Sequence, residues 1–235
     1  MADGKLRYQQ VSTPQASVVV VVSHHTWKNV SSCVGSLRDH SDVPLRVTAV
    51  LDGVTKDAVQ AVAGKGVDVM SNVQPRYFRA CLLQAFDRLH EGQLGVILPV
   101  NLWVIDRSWF GLVLAPYHAD RTTGLVFFGD ETPNASAVPH RVERAEQVPE
   151  QRIGVAIAPT FVERMAAELG ADQGWDDVTY RSRMVDVALR SGCTVWSVPT
   201  VRVVVGARGP RHVAPVTDAV VPKVGASTRG PRRDS

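Results

Sequence analysis

Val18-Val-Val-Val-Val22 runs straight into Ser23-His24-His25-Thr26. Five β-branched residues in a row offer no polar face to water, so the segment reads as a central strand covered on both sides. The period then changes. Val30, Cys33, Val34 and Leu37 fall at i, i+3, i+4 and i+7 and predict a helix over 27–39. Ser41-Asp42-Val43-Pro44 breaks it, and a second strand, 45–51, ends in the turn pair Asp52-Gly53.

The alternation continues. A short helix over 55–63 stops at Gly64-Lys65-Gly66, and a third strand follows at 67–70. Pro75 precedes a helix over 76–91, striped by Phe78, Cys81, Leu82, Ala85, Phe86 and Leu89. A fourth strand covers 94–100. Asp106 reads as the N-cap of a helix over 106–114. Strands are predicted at 124–128, 153–158, 193–198 and 201–205. A helix over 160–169 has Thr160-x-x-Glu163 as a capping box, and another runs from Asp176 or Asp177 to 191. Polar residues and three prolines make 129–151 a long loop.

Four strand–helix alternations predict an α/β domain with a mostly parallel sheet flanked by helices. It spans 16–205, between a flexible leader, 1–15, and a flexible tail, 206–235. In such sheets ligands bind outside the carboxyl ends of the strands. That singles out Ser23-His24-His25, Asp52-Gly53, Val100-Asn101 and Asp176-Asp177.

With 235 residues, 45% apolar and 21% charged, the chain buries a core without staples and is not largely disordered. No apolar run approaches the roughly 20 residues of a membrane span, and residues 1–14 lack the apolar core of a signal peptide. Cys33, Cys81 and Cys193 form no CxxC spacing and read as reduced thiols suited to a cytoplasmic protein. The net charge of +3 is uneven. Residues 206–235 carry six basic and two acidic side chains, so the body is slightly acidic. The tail leaves a nucleic-acid contact open; the body is no basic nucleic-acid surface. No GxSxG, P-loop, dinucleotide fingerprint or zinc spacing is present.

Several candidates have two readings from the residues alone. Asp52 is a turn aspartate or an acceptor for ligand donors. Asp176 and Asp177 complement a helix dipole or do proton chemistry. Trp175 beside them offers a platform for a sugar or base ring. Arg76, Arg79 and Arg121 are solvated arginines or phosphate ligands.

The opening Val18-Val-Val-Val-Val-Ser-His-His25, then Cys33-Val-Gly-Ser-Leu37 and Val47-Thr-Ala-Val-Leu-Asp-Gly53, followed much later by Gly154-Val-Ala-Ile157, Trp175-Asp-Asp177, Leu189-Arg-Ser-Gly192 and Val195-Trp-Ser-Val-Pro199, resemble family 2 glycosyltransferases over 17–205. The resemblance implies the GT-A fold. It also implies transfer of a sugar, with inversion, from a nucleotide-sugar donor to a soluble hydroxyl acceptor: a saccharide, a protein or a hydroxylated DNA base. It places His24 and His25 at the nucleotide base and Asp52 on the ribose or base. Asp177, or else Asp176, becomes the general base, with Trp175 on the acceptor side.

The departures are specific. Where the family has an Asp-x-Asp motif for Mn2+ or Mg2+, this chain reads Leu98-Pro-Val-Asn-Leu-Trp103, and Asn101 is its only polar candidate. One neutral amide oxygen makes no site for a hard cation, so no metal ligands are assigned, Mn2+ or Mg2+ stays open as a weakly required cofactor, and Arg76 and Arg79 are the candidates to neutralise the diphosphate. Leu51 replaces one acid of the family's second strand, and Val205 stands where a metal-contacting His often stands. These losses support a rival reading, a non-catalytic nucleotide-sugar-binding module.

Overall fold

A computed structural model describes residues 16–23, 26–89, 92–130, 138–147, 154–171 and 179–205. The valine run forms β1 (Ala16–Ser23), which pairs in parallel with β2 (Leu45–Asp52) on one side and β4 (Leu94–Pro99) on the other. Val18, Val20 and Val22 enter one core, while Val19 enters the other. Burial on both faces is therefore why the run has no polar residue. Each fully buried Val contributes on the order of 1.5–3 kcal/mol.

The edge strand β3 (Asp68–Asn72) pairs in parallel with β2. Beyond β4 the direction reverses. β8 (Gly154–Ile157) is antiparallel to β4 and to β6 (Thr123–Asp130), and β6 is parallel to β9 (Thr194–Val205). β7 (His140–Val142) and β5 (Leu102–Val104) pair antiparallel with β9. The order is β3-β2-β1-β4-β8-β6-β9-β5, with β7 also on β9. Parallel pairs run five to eight residues and antiparallel ones three or four, so the mixed sheet is mostly parallel.

Helices cover both faces. α1 (Val30–Asp39), α2 (Lys56–Ala63) and α4 (Trp109–Ala119) pack on one core; α3 (Tyr77–Phe86), α5 (Val162–Ala171) and α6 (Tyr180–Arg190) pack on the other. The predicted stripe of α1, Val30, Cys33, Val34 and Leu37, is the buried one. Thr55 caps α2 by accepting from the Ala58 N–H. Gly154 starts β8 because a Cβ there would strike the Phe128 ring and lie 2.8 Å from Leu98.

The structure corrects several sequence readings. Asp106 does not open a helix. It pairs with Arg202, and α4 begins at Trp109 behind Ser108, a non-glycine residue at φ 59° whose Oγ donates to Asp42. The Trp109 indole N–H donates to the Leu37 carbonyl and ties α4 to α1. β5 is absent from the sequence prediction, because its three residues are too few to show a period. The loop read over 129–151 contains β7, equally short. The helix predicted over 76–91 ends at Phe86, and the strands at 193–198 and 201–205 are one bent strand, β9. Its register slips between the pairs Phe128↔Val198 and Asp130↔Arg202, around Pro199.

Candidate functional site

Parallel pairing aligns Ser23, Asp52 and Asn72 across the carboxyl ends of β1, β2 and β3. The sheet thus presents Asp52 in the middle of a polar row at the edge where α/β ligands bind. Gly53 turns the chain immediately afterwards at φ 63°, where a Cβ would lie 2.8 Å from Pro75. The Gly53 N–H donates to the Asn72 carbonyl at 2.9 Å.

Asp52 Oδ1 accepts from the Arg76 backbone N–H at 2.8 Å and from Asn72 Nδ2 at 3.3 Å. The carboxylate therefore fixes the start of α3, and the exposed Arg76 side chain leaves from the same corner. Asn72 and Gln84 join side-chain amides twice, Nδ2 to Oε1 at 2.8 Å and Nε2 to Oδ1 at 3.1 Å. Cys81 packs below, with its thiol pushed up to about 12 by burial and then by the neighbouring Asp52 charge. It stays a protonated thiol, as does Cys33, raised to about 12 by burial.

Asn101 is half-buried in the turn between β4 and β5. The turn is pinned to β1 by the Val100 N–H donating to the Val21 carbonyl at 3.1 Å. Arg79, one turn into α3, is directed to α5, where Nη2 donates to the Gly170 carbonyl at 3.2 Å. A cation there complements the helix's negative end. Arg121 lies in the turn before β6, at the opposite edge. Asp52 and Arg76 are thus together, Asn101 is on the far side of β1, and Arg79 faces another helix. His24, His25, Trp175, Asp176 and Asp177 lie outside the described residues.

The Asn72–Gln84 pair escaped the sequence reading. Gln84 interrupts no stripe, and an amide on a helix carries no spacing signal; only the strand-end position of Asn72 marks it.

The described residues do not fit a divalent cation at the turn after β4. The side chains of Pro99, Val100 and Leu102 bring no ligand atom, and that of Asn101 brings one neutral oxygen. The nearest acid, Asp106, is engaged by the Arg202 guanidinium at 2.6 Å and by the Arg202 N–H. Among the described residues no three His, Cys, Asp or Glu gather as a metal group. No helix of the described residues is long and apolar enough to cross a membrane.

No family model and no curated protein matches the chain. Solved structures do. GalNAc-T7 with UDP, GalNAc and Mn2+ superposes with a TM-score of 0.55 at 14% identity, over 82% of this chain and 44% of that one. The mannosyltransferase PcManGT of Pyrobaculum calidifontis, with GDP-Man and Mn2+, gives 0.56 at 15%, over 82% and 57%. S. aureus TarS 1-349 with UDP gives 0.56 at 10%, over 80% and 59%. The chain spans about half the length of these neighbours. The architecture is that of the GT-A glycosyltransferase fold.

Proposed function

We propose that this chain is a glycosyltransferase that moves a sugar from a nucleotide-sugar to a soluble hydroxyl acceptor. The observation that carries the reading is the polar row Ser23–Asp52–Asn72 at the carboxyl edge of a GT-A sheet. The step from fold to activity is an analogy with neighbours that hold UDP or GDP-Man. Those neighbours favour a transferase over a binding module without catalysis.

In this reading Asp52 accepts from the ribose or base, and His24 and His25 pack on the base. Arg76 and Asn101 serve the diphosphate end, where a degenerate Asp-x-Asp turn supplies no carboxylate, while Arg79 stays on the Gly170 carbonyl of α5. Asp177, or Asp176, takes the proton of the acceptor hydroxyl. The freed oxygen attacks the anomeric carbon, and the nucleoside diphosphate leaves with the electrons of the broken bond, inverting that carbon. Trp175 supports the acceptor ring. The acceptor class stays a saccharide, a protein or a hydroxylated DNA base, the last served by the basic tail.

Asp177→Asn and Asp176→Asn test the reading. Asn caps a helix about as well as Asp, so melting temperature and donor affinity should hold. Loss of the general base should cut turnover by roughly 10²–10⁴-fold in one of the two. Parental turnover in both variants would remove the pair from the mechanism.

A further inference from the structure

We propose that Asn72 and Gln84 are positioning residues for Asp52, so that nucleotide recognition depends on an amide pair outside the family-like motifs. The proposal rests on the nucleotide-sugar reading above.

The polarity of the network runs from the carboxylate outward. An ionised carboxylate only accepts, so Asn72 must present Nδ2 to Asp52 Oδ1. Asn72 Oδ1 then faces away and can only accept. Gln84 Nε2 fills that role at 3.1 Å, and Gln84 Oε1 takes the second proton of Asn72 Nδ2 at 2.8 Å. Neither amide can flip without breaking a bond to the other. The Asn72 carbonyl holds the Gly53 N–H, and Asp52 Oδ1 holds the Arg76 N–H. Gln84, two turns along α3 from Arg76, therefore closes a loop that begins and ends on that helix. The group that meets ligand is Asp52; Gln84 acts through Asn72.

Gln84→Glu keeps the size and removes the N–H donor. At pH 8 Asn72 Oδ1 loses its partner, and a second negative charge leans on Nδ2 beside Asp52. Protonation restores an O–H donor to Asn72 Oδ1, and the neighbouring carboxylate brings that protonation on at higher pH than usual. The full-length variant is titrated with UDP and GDP at pH 8 and pH 5. The expected result is affinity about tenfold weaker than the parent's at pH 8, about 1.4 kcal/mol, and within roughly threefold of it at pH 5. Affinity equal to the parent's at pH 8 overturns the proposal, and so does a deficit unchanged at pH 5.

The Asn72 side-chain amide NMR signals report the same switch without nucleotide. They should move between pH 8 and pH 5 in the variant and stay put in the parent; signals that never move overturn the positioning role. If the parent binds neither UDP nor GDP, the nucleotide-sugar reading fails and the Asn72 signals decide the positioning. Should Gln84→Glu not fold at pH 8, Gln84→Met removes the donor without adding charge. It is expected to weaken both nucleotides about threefold at either pH, and parental affinity overturns the proposal.

Discussion

Two carboxylates near the carboxyl edge have opposite surroundings. Asp106, at the end of β5, takes the Arg202 guanidinium and the Arg202 backbone N–H. Its side chain is 12% exposed, its charge is cancelled, and its work is to lock β5 onto the bend of β9. Asp52 meets neutral N–H groups of Asn72 and Arg76 at Oδ1. Those bonds orient the carboxylate without neutralising it. A guanidinium cancels the charge of the acid it holds, whereas the N–H groups of Asn72 and Arg76 orient an acid and carry no full charge of their own. The difference separates the acid nearest the expected metal turn, which is structural, from the acid that the strand order presents.

The largest effect expected from breaking this contrast is on stability. Asp106→Ala removes the shared acceptor of three donors. Hydrogen bonds to charged groups contribute about 1.5–3 kcal/mol, and Arg202 is half exposed, so the net loss is about 2 kcal/mol. For a domain of this size that lowers Tm by about 4–8 °C. Nucleotide affinity of the folded fraction should stay at the parental value. An Asp106→Ala protein that melts like its parent would give Asp106 no structural role.

Asp52→Ala should give the converse. UDP and GDP affinity should drop by about tenfold, while loss of the bonds from Asn72 and Arg76 lowers Tm by no more than Asp106→Ala does. Isothermal titration on both variants crosses the two effects. Equal loss of affinity in both would erase the distinction between the corners.

Chelation probes the turn between them. With no carboxylate from Leu98 to Trp103 and Asp106 engaged, EDTA should change nucleotide affinity by less than about tenfold relative to Mn2+. A larger loss would mean that residues outside the described ones complete a cation site.

The fold was legible wherever burial wrote a period into the sequence. Val18 to Val22 could only be a doubly covered strand, and the stripe of α1 is the stripe that is buried. Short elements were not legible. β5 and β7 have three residues each, and what holds them is β9, more than 50 residues further along the chain. Asp106 carries the composition of an N-cap, and only the return of β9 brings Arg202 against it. At the site, Asp52 was legible from its strand end and glycine. Its supports Asn72 and Gln84 were not, because their bonds join residues 12 and 20 apart through tertiary packing.

The smallest effect belongs to the opposite edge. Asp120, after α4, has its carboxyl held below the ordinary range by the Thr122 hydroxyl first, then the Thr122 backbone N–H, with Thr194 and the Arg141 guanidinium adding to them. A depressed carboxyl contributes stability that is complete above its unfolded value, here 3.8, and that disappears as pH falls through the lower folded value. The parent should therefore lose this contribution only in acid, below about pH 4. Asp120→Asn keeps an oxygen for Thr122 and loses the ion pair, so it should melt slightly below the parent at pH 7. The gap should narrow as pH falls below 3.8 towards 2.5, because the parent's unfolded carboxyl then binds a proton more readily than its folded one. Nucleotide affinity should not change, since Asp120 lies at the far end of the strands from Asp52. A melting gap of constant size from pH 7 to pH 2.5 would show that the Asp120 charge contributes nothing, and a change in affinity would couple the two edges of the sheet.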